Sequence, residues 1–156
     1  RPHRIGDLGL VISRQAALYA QEYQWDIGFE GLLAEICADF VRDYRPARDF
    51  CWIAEHRGAM AGSIFLVHSD DEAVGKLRML YVEPTARGLG LGGRLVETCV
   101  EQARATGYEK LVLWTNDILV SARRIYEAAG FRLIEEEYHE SFGQKLVGQN
   151  WELELT

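Results

Sequence analysis

Apolar residues recur along this chain with two periods, and the switches between them mark its elements. A first apolar stretch, residues 8–12, predicts a short strand, with Ser13 as the cap of a helix over residues 14–24. Phe29, Leu32, Leu33, Ile36, Phe40 and Val41 repeat at helical spacing and predict a second amphipathic helix. Its end falls near Tyr44, because Pro46 disfavours helix in the residue before it. Residues 50–55 and 60–68 read as strands around the turn His56-Arg57-Gly58, and Ser69-Asp70-Asp71-Glu72 turns the chain into a third. Leu91, Leu95, Cys99 and Ala103 make the core stripe of another helix, which Gly107 ends. After the apolar strand Lys110-Leu111-Val112-Leu113-Trp114-Thr115, Ala122, Ile125, Tyr126 and Ala129 share one face of a last helix, and Gly130 suits its left-handed terminus. Residues 133–138 and 146–155 predict the closing strands.

The run Leu80-Tyr81-Val82-Glu83-Pro84-Thr85-Ala86-Arg87-Gly88-Leu89-Gly90-Leu91-Gly92-Gly93-Arg94-Leu95 leads from a strand through a proline turn into a glycine-rich loop and a helix. Glycines let the backbone approach a ligand, and the helix start presents unpaired N–H groups and a positive dipole end, so the arrangement predicts a phosphate-bearing ligand. A phosphate loop ending in GK[ST] is excluded, since Gly92 is followed by Gly93-Arg94. Gly88, Gly90 and Gly93 satisfy GxGxxG with Glu109 downstream, but the glycines do not directly follow their strand and Glu109 precedes the next strand instead of closing it. RxxGxG, filled by Arg87, Gly90 and Gly92 after Tyr-Val-x-Pro, is the third pattern. A second block, Ser121-Ala122-Arg123-Arg124-Ile125-Tyr126-Glu127-Ala128-Ala129-Gly130-Phe131, carries AxxxYExxGF. On these two motifs the chain resembles the GCN5-related N-acetyltransferase (GNAT) family.

That resemblance implies an α/β fold: a mixed, mostly antiparallel sheet of about seven strands flanked by four helices. It implies acetyl-CoA as co-substrate, held by Leu80, Tyr81, Val82, Arg87, Gly88, Leu89, Gly90, Leu91, Gly92 and Gly93, with Tyr126 beside the sulfur to protonate the departing thiolate. Amine attack on a thioester needs a polar N–H near the carbonyl, an acid near the sulfur and a route for the amine proton. Leu80, Tyr81 and Val82 offer the first, and Tyr126, with an ordinary pKa of about 10, suits the second. Outside the family, a tyrosine on an apolar helix face is read as core packing. No motif singles out a base. Glu22, Asp26, Glu30 and Glu83 are candidates, although a carboxylate on an amphipathic helix is ordinarily part of its solvated face, and ordered waters serve equally. Many members place an asparagine seven residues before the tyrosine; Leu119 stands there, and Asn116 is read as its substitute, either as a cofactor contact or as a helix cap.

The 156 residues suit one N-acetyltransferase domain, residues 1–156, with no linker or repeat. The net charge of −7 and the lack of a basic stripe argue against nucleic-acid binding. Arg87, Arg94, Arg123 and Arg124 cluster locally around the two motifs, where they can meet phosphates, although solvated arginine is the ordinary reading of each, and an acidic chain hints at a cationic amine acceptor. Cys37, Cys51 and Cys99 are widely spaced on apolar segments, as expected for reduced thiols of a cytoplasmic protein, and His3, His56, His68 and His139 show no metal spacing. No signal sequence or long apolar run appears. The chain opens at Arg1 with its first Met at Met60, which suggests a piece of something longer. The opening Arg4-Ile5-Gly6-Asp7-Leu8-Gly9, then Leu18-Tyr19-Ala20-Gln21-Glu22-Tyr23 and Phe29-Glu30, and the closing Ser141-Phe142-Gly143-Gln144-Lys145-Leu146-Val147-Gly148-Gln149-Asn150-Trp151-Glu152-Leu153 resemble the acetyltransferase half of bacterial fusions with a MarR-type regulator. Two functions follow: an enzyme acetylating a primary amine of a small molecule or peptide, or an acetyl-CoA sensor controlling an attached winged-helix domain. Tyr19, Tyr23, Trp25, Tyr138, Phe142 and Trp151 are candidates for the acceptor pocket or for core, and an exposed last strand allows a homodimer.

Overall fold

The structure is a computed structural model describing residues 1–156. Helices α1 (Asp7–Tyr23) and α2 (Ile27–Arg42) come first, followed by strands β1 (Phe50–His56), β2 (Ala59–His68) and β3 (Val74–Val82). Helix α3 (Leu91–Thr106), strand β4 (Lys110–Asn116), helix α4 (Val120–Ala128) and strands β5 (Arg132–Ser141) and β6 (Gln144–Glu154) complete the chain. The six strands form one sheet in the order β1-β2-β3-β4-β6-β5, in which only the β3–β4 pair is parallel.

The expected strand at residues 8–12 is the start of α1, and Ser13 lies inside that helix instead of capping it. The short apolar run belongs to a helical stripe, because Val11 and Leu18 are buried with Leu8 packed beside them. Gly6, at φ 97°, turns the chain into the helix, and Asp7 is held by Arg1 at 2.7 Å. Losing that strand reduces the expected seven to six. What remains is an N-terminal segment along β1: His3 donates to the Cys51 carbonyl at 3.0 Å, and Pro2 bridges Trp52.

The other turns follow their residues. Arg57 and Gly58 both adopt positive φ, 53° and 79°, as a tight β1–β2 hairpin requires. Asp26 caps α2 by accepting from Gly28 N–H at 2.9 Å, and Gly107, at φ 98°, ends α3. Ala129, expected on the inner face of α4, is exposed; Tyr126 is the buried residue of that helix.

Two apolar cores lie on opposite faces of the sheet. Helices α1 and α2 cover one, with Phe29, Leu33, Cys37 and Phe40 against Phe65, Val67, Met79 and Tyr81. Helices α3 and α4 cover the other, with Leu95, Val96, Cys99 and Tyr126 against Ile64, Leu66, Leu77, Leu111 and Leu113. β2 alternates between the two, so residues 61–67 read as one apolar run broken by Gly62 and Ser63. Cys37, Cys51 and Cys99 are buried free thiols, and no helix is long and apolar enough to cross a membrane.

Candidate active site

The glycine loop leaves its backbone donors unpaired. β3 ends at Val82, a single 3-10 turn spans Pro84–Ala86, and Gly88 and Gly90 take positive φ, 84° and 73°, before α3 begins. The first N–H of this segment to find a helical partner is that of Arg94, which donates to the Gly90 carbonyl at 3.1 Å. The six N–H groups of residues 88–93 have no acceptor in the chain, and they sit at the positive end of a sixteen-residue helix. A Cβ added at Gly88, Gly90 or Gly93 meets nothing within 4 Å, so the cradle is open. Gly92 differs: a Cβ there would lie 2.6 Å from Ile125 Cδ1, so that glycine lets α3 approach α4.

β3 and β4 share only a short ladder, Val74↔Lys110, Gly75↔Leu111 and Lys76↔Val112, and then part. Beyond it β3 carries a bulge. Its register against β2 jumps from Phe65↔Arg78 to Ser63↔Tyr81, and Met79 holds φ 54°, a strained value for a side chain other than glycine. Ser63 Oγ donates to the Met79 carbonyl at 2.9 Å and pins the bend.

A cavity of about 730 Å³ occupies the parting. Leu77, Leu80, Leu113 and Tyr126 line it from the α3–α4 core, and Tyr19, Phe29, Leu33 and Met79 from the α1–α2 core. The opening therefore runs through the sheet. Tyr126 is only 5 % exposed, and burial raises its hydroxyl well above the ordinary tyrosine range, with Tyr19 pushing the same way. The group is thus a proton donor throughout the neutral range.

None of the four candidate carboxylates reaches this cavity. Glu83, 8 % exposed, is clamped by Arg14 at 2.5 and 3.1 Å, Glu22 is bonded to Arg87, Asp26 caps α2, and Glu30 lies in a separate depression beside α1. In their place the structure brings a trio from β4 and β5. Asn116, 2 % exposed, accepts from His139 Nε2–H at 2.8 Å through Oδ1, which leaves Nδ1 to accept the Ser141 hydroxyl at 2.9 Å. All three line the cavity, as does Glu137. The side chain of Asn116 does not cap α4; the cap position is Leu119, without a side-chain bond. Residues 137, 139 and 141 alternate onto one face of a strand, a signal readable in the sequence. What the sequence hides is the neighbour, because β6 intervenes between β5 and β4.

Other expectations divide. Leu80 lines the cavity, and Tyr81 packs in the α1–α2 core with its hydroxyl unpaired and raised by burial to about 12. Leu89 is exposed on the loop. Arg123 is tied to the Asp117 carbonyl at 3.0 Å, while Arg94 and Arg124 are exposed. Tyr19, Trp25 and Phe142 line the cavity, stacked edge and face with Phe29 at 4.8–5.2 Å. Tyr138 is exposed on β5, and Trp151 packs near Tyr126 in the other core.

Comparison with known proteins agrees with this geometry. The family described as Acetyltransferase (GNAT) matches residues 15–131. An uncharacterized N-acetyltransferase of Schizosaccharomyces pombe is 30% identical over 139 residues, 88% of this chain and 82% of that protein. A probable N-acetyltransferase family 8 member 5 from Mus musculus is 36% identical over 99 residues, 61% of this chain; the chain spans less than half, 44%, of that relative. Among solved structures, yncA of Salmonella typhimurium, determined with its cofactor acetyl-CoA, superposes with a TM-score of 0.75 at 19% identity, over 100% of this chain and 92% of that one. The open cradle, the parted parallel strands and the family match over three quarters of the sequence lead to one conclusion: the chain belongs to the GNAT family of N-acetyltransferases.

Proposed function

We propose that the chain moves an acetyl group from acetyl-CoA to a primary amine of a small molecule or peptide. Two observations carry this: the cavity where β3 and β4 part, with a protonated, buried Tyr126 in its wall, and the unpaired N–H groups of residues 88–93 in the loop that follows β3. Acetyl-CoA supplies an activated thioester, and the residues present fit it. The N–H groups of residues 88–93 suit its pyrophosphate, and the β3 edge freed beyond Lys76, including Leu80, Tyr81 and Val82, suits its amide-bearing arm as an added strand. Arg87, now on Glu22, stands beside the cradle, and Asn116 contributes through His139.

Tyr126 donates its hydroxyl proton to the leaving thiolate. The amine proton leaves through the Ser141 hydroxyl to Nδ1 of His139, and Asn116 Oδ1 steadies the imidazolium through Nε2–H. His139 and Ser141 thereby fill the role that no candidate carboxylate reaches. Reduced thiols fit a cytoplasmic setting, exposed β5 is the edge a homodimer would use, and the terminal motifs fit a MarR-type fusion.

Calorimetric titration with acetyl-CoA, with NAD as control, tests the reading: acetyl-CoA should bind and NAD should not. Tyr126→Phe should then slow acetyl transfer at least tenfold with little change in acetyl-CoA affinity, as expected for loss of a positioned acid. Unchanged transfer would refute the role of Tyr126, and binding of NAD alone would refute the function.

A further inference from the structure

Two cations in the cavity wall are left without partners by an acid-rich chain. There are 24 acidic against 17 basic residues, and arginines around the site are engaged: Arg14 by Glu83, Arg87 by Glu22, Arg123 by the Asp117 carbonyl. Lys76 and Arg78 are not. They lie two residues apart on β3 ahead of the bulge, so the strand turns both toward one side, and both line the cavity. Neither side chain forms an ion pair within the chain. Arg78 is partly buried, and burial pulls its guanidinium below the ordinary arginine range. Asp39 on α2 acts in the opposite sense from a distance, being itself bonded to Arg42. A guanidinium keeps its charge, and a partly desolvated charge without a counter-ion is unfavourable, so this position suits an anion that arrives from outside.

We propose that the acceptor amine also carries an acid group, which Arg78 grips with help from Lys76, so that the substrate is an amino acid or an amine of the same amphoteric chemistry. The idea rests on the acetyltransferase reading and narrows it. The coenzyme phosphates do not account for these cations, because the open cradle lies past the end of β3 while Lys76 and Arg78 precede its bulge. An arginine fork matches a carboxylate or a phosphorus acid with paired hydrogen bonds. The same cavity offers acceptors for the amine end: Gln15 Oε1, buried without a partner, and the Glu137 carboxylate. A purely cationic amine, hinted at by the overall acidity, would meet two like charges here.

The test compares acceptors that differ only in the acid. Thiol release from acetyl-CoA is followed with L-phenylalanine against 2-phenylethylamine, L-methionine against 3-(methylthio)propylamine, and an aminoalkyl phosphonate. Calorimetry with the N-acetyl acids and their neutral amides is run on the chain with and without CoA. The acids should react and bind in preference to their neutral counterparts. Arg78→Gln should raise the acid's KM about 10- to 100-fold with acetyl-CoA affinity unchanged, and Lys76→Gln should raise it less. A better rate with the phosphonate would assign the anion as a phosphorus acid. Equal use of the decarboxylated amines, no binding by any acid, or an unchanged KM in Arg78→Gln would overturn the proposal. If acetyl-CoA itself fails to bind, the acetyltransferase reading falls, while acid against amide on the unloaded chain still decides the anion subsite.

Discussion

Gly62 shows how little room the sheet leaves beside the bulge. A Cβ there would sit 2.5 Å from the Tyr81 carbonyl oxygen, a backbone atom that cannot swing aside. Gly62→Ala should therefore cost about 1–3 kcal/mol and lower Tm, whereas Gly92→Ala, which meets only the flexible tip of Ile125, should cost less. Tyr126 makes a second prediction at this scale. Because burial raises its pKa, the hydroxyl stays protonated to higher pH than that of a free tyrosine, and in its proposed role as the acid the pH–rate profile should show no falling limb at pH 10. A limb there would mean that the hydroxyl meets solvent during turnover. The two motifs that carry Tyr126 and the loop glycines were legible, because their residue types and spacing mark the family; the roles given to those residues are proposals. The contact of the His139 and Ser141 pair with Asn116 was not legible, since no periodicity places β4 beside β5.

Among elements, β3 and β4 line the cavity equally, with five residues each, and β3 is the one that bends. One extra residue in its pairing with β2 changes which side chains face α2, and the strand reaches the cavity only because the ladder to β4 stops at Lys76. Ser63→Ala removes the hydroxyl that holds the Met79 carbonyl at 2.9 Å. The cost should be about 1–3 kcal/mol, the usual result of leaving a buried acceptor unpaired, measured by chemical denaturation. Acetyl transfer should fall with it as the bend relaxes. Helices α2 and α3 were readable from their apolar stripes and stops. The start of α1 was not, because five apolar or small residues satisfy a strand and a helical stripe equally well, and only the rest of the core selects between them.

For the molecule as a whole, acid groups buried in neutral form set its behaviour in alkali. Burial raises Cys37 to about 11 and carries Cys51, Cys99, Tyr19 and Tyr126 beyond the usual range of their types. In the unfolded chain the thiols lose protons near pH 8.5 and the phenols near 10, so the folded state binds more protons above those values. Stability should be fully present at pH 7 and should fall as pH rises through 9 to 11, by about 1.4 kcal/mol per pH unit for each group deprotonated only when unfolded. Denaturation at pH 7 and pH 10.5 measures it. The order of helices and strands was largely legible in the chain, but the hole through the sheet was not, because it arises where two strands far apart in sequence cease to pair.

The aromatic lining has an optical consequence. Of the four tryptophans, Trp25 and Trp114 stand in the cavity wall, the first among Tyr19, Phe29 and Phe142 and the second 5.3 Å from the His139 ring. A molecule entering between them changes the surroundings of half the indole emitters at once. The intrinsic fluorescence of the unlabelled chain is therefore a built-in gauge of occupancy, able to report acceptors that bind but never react.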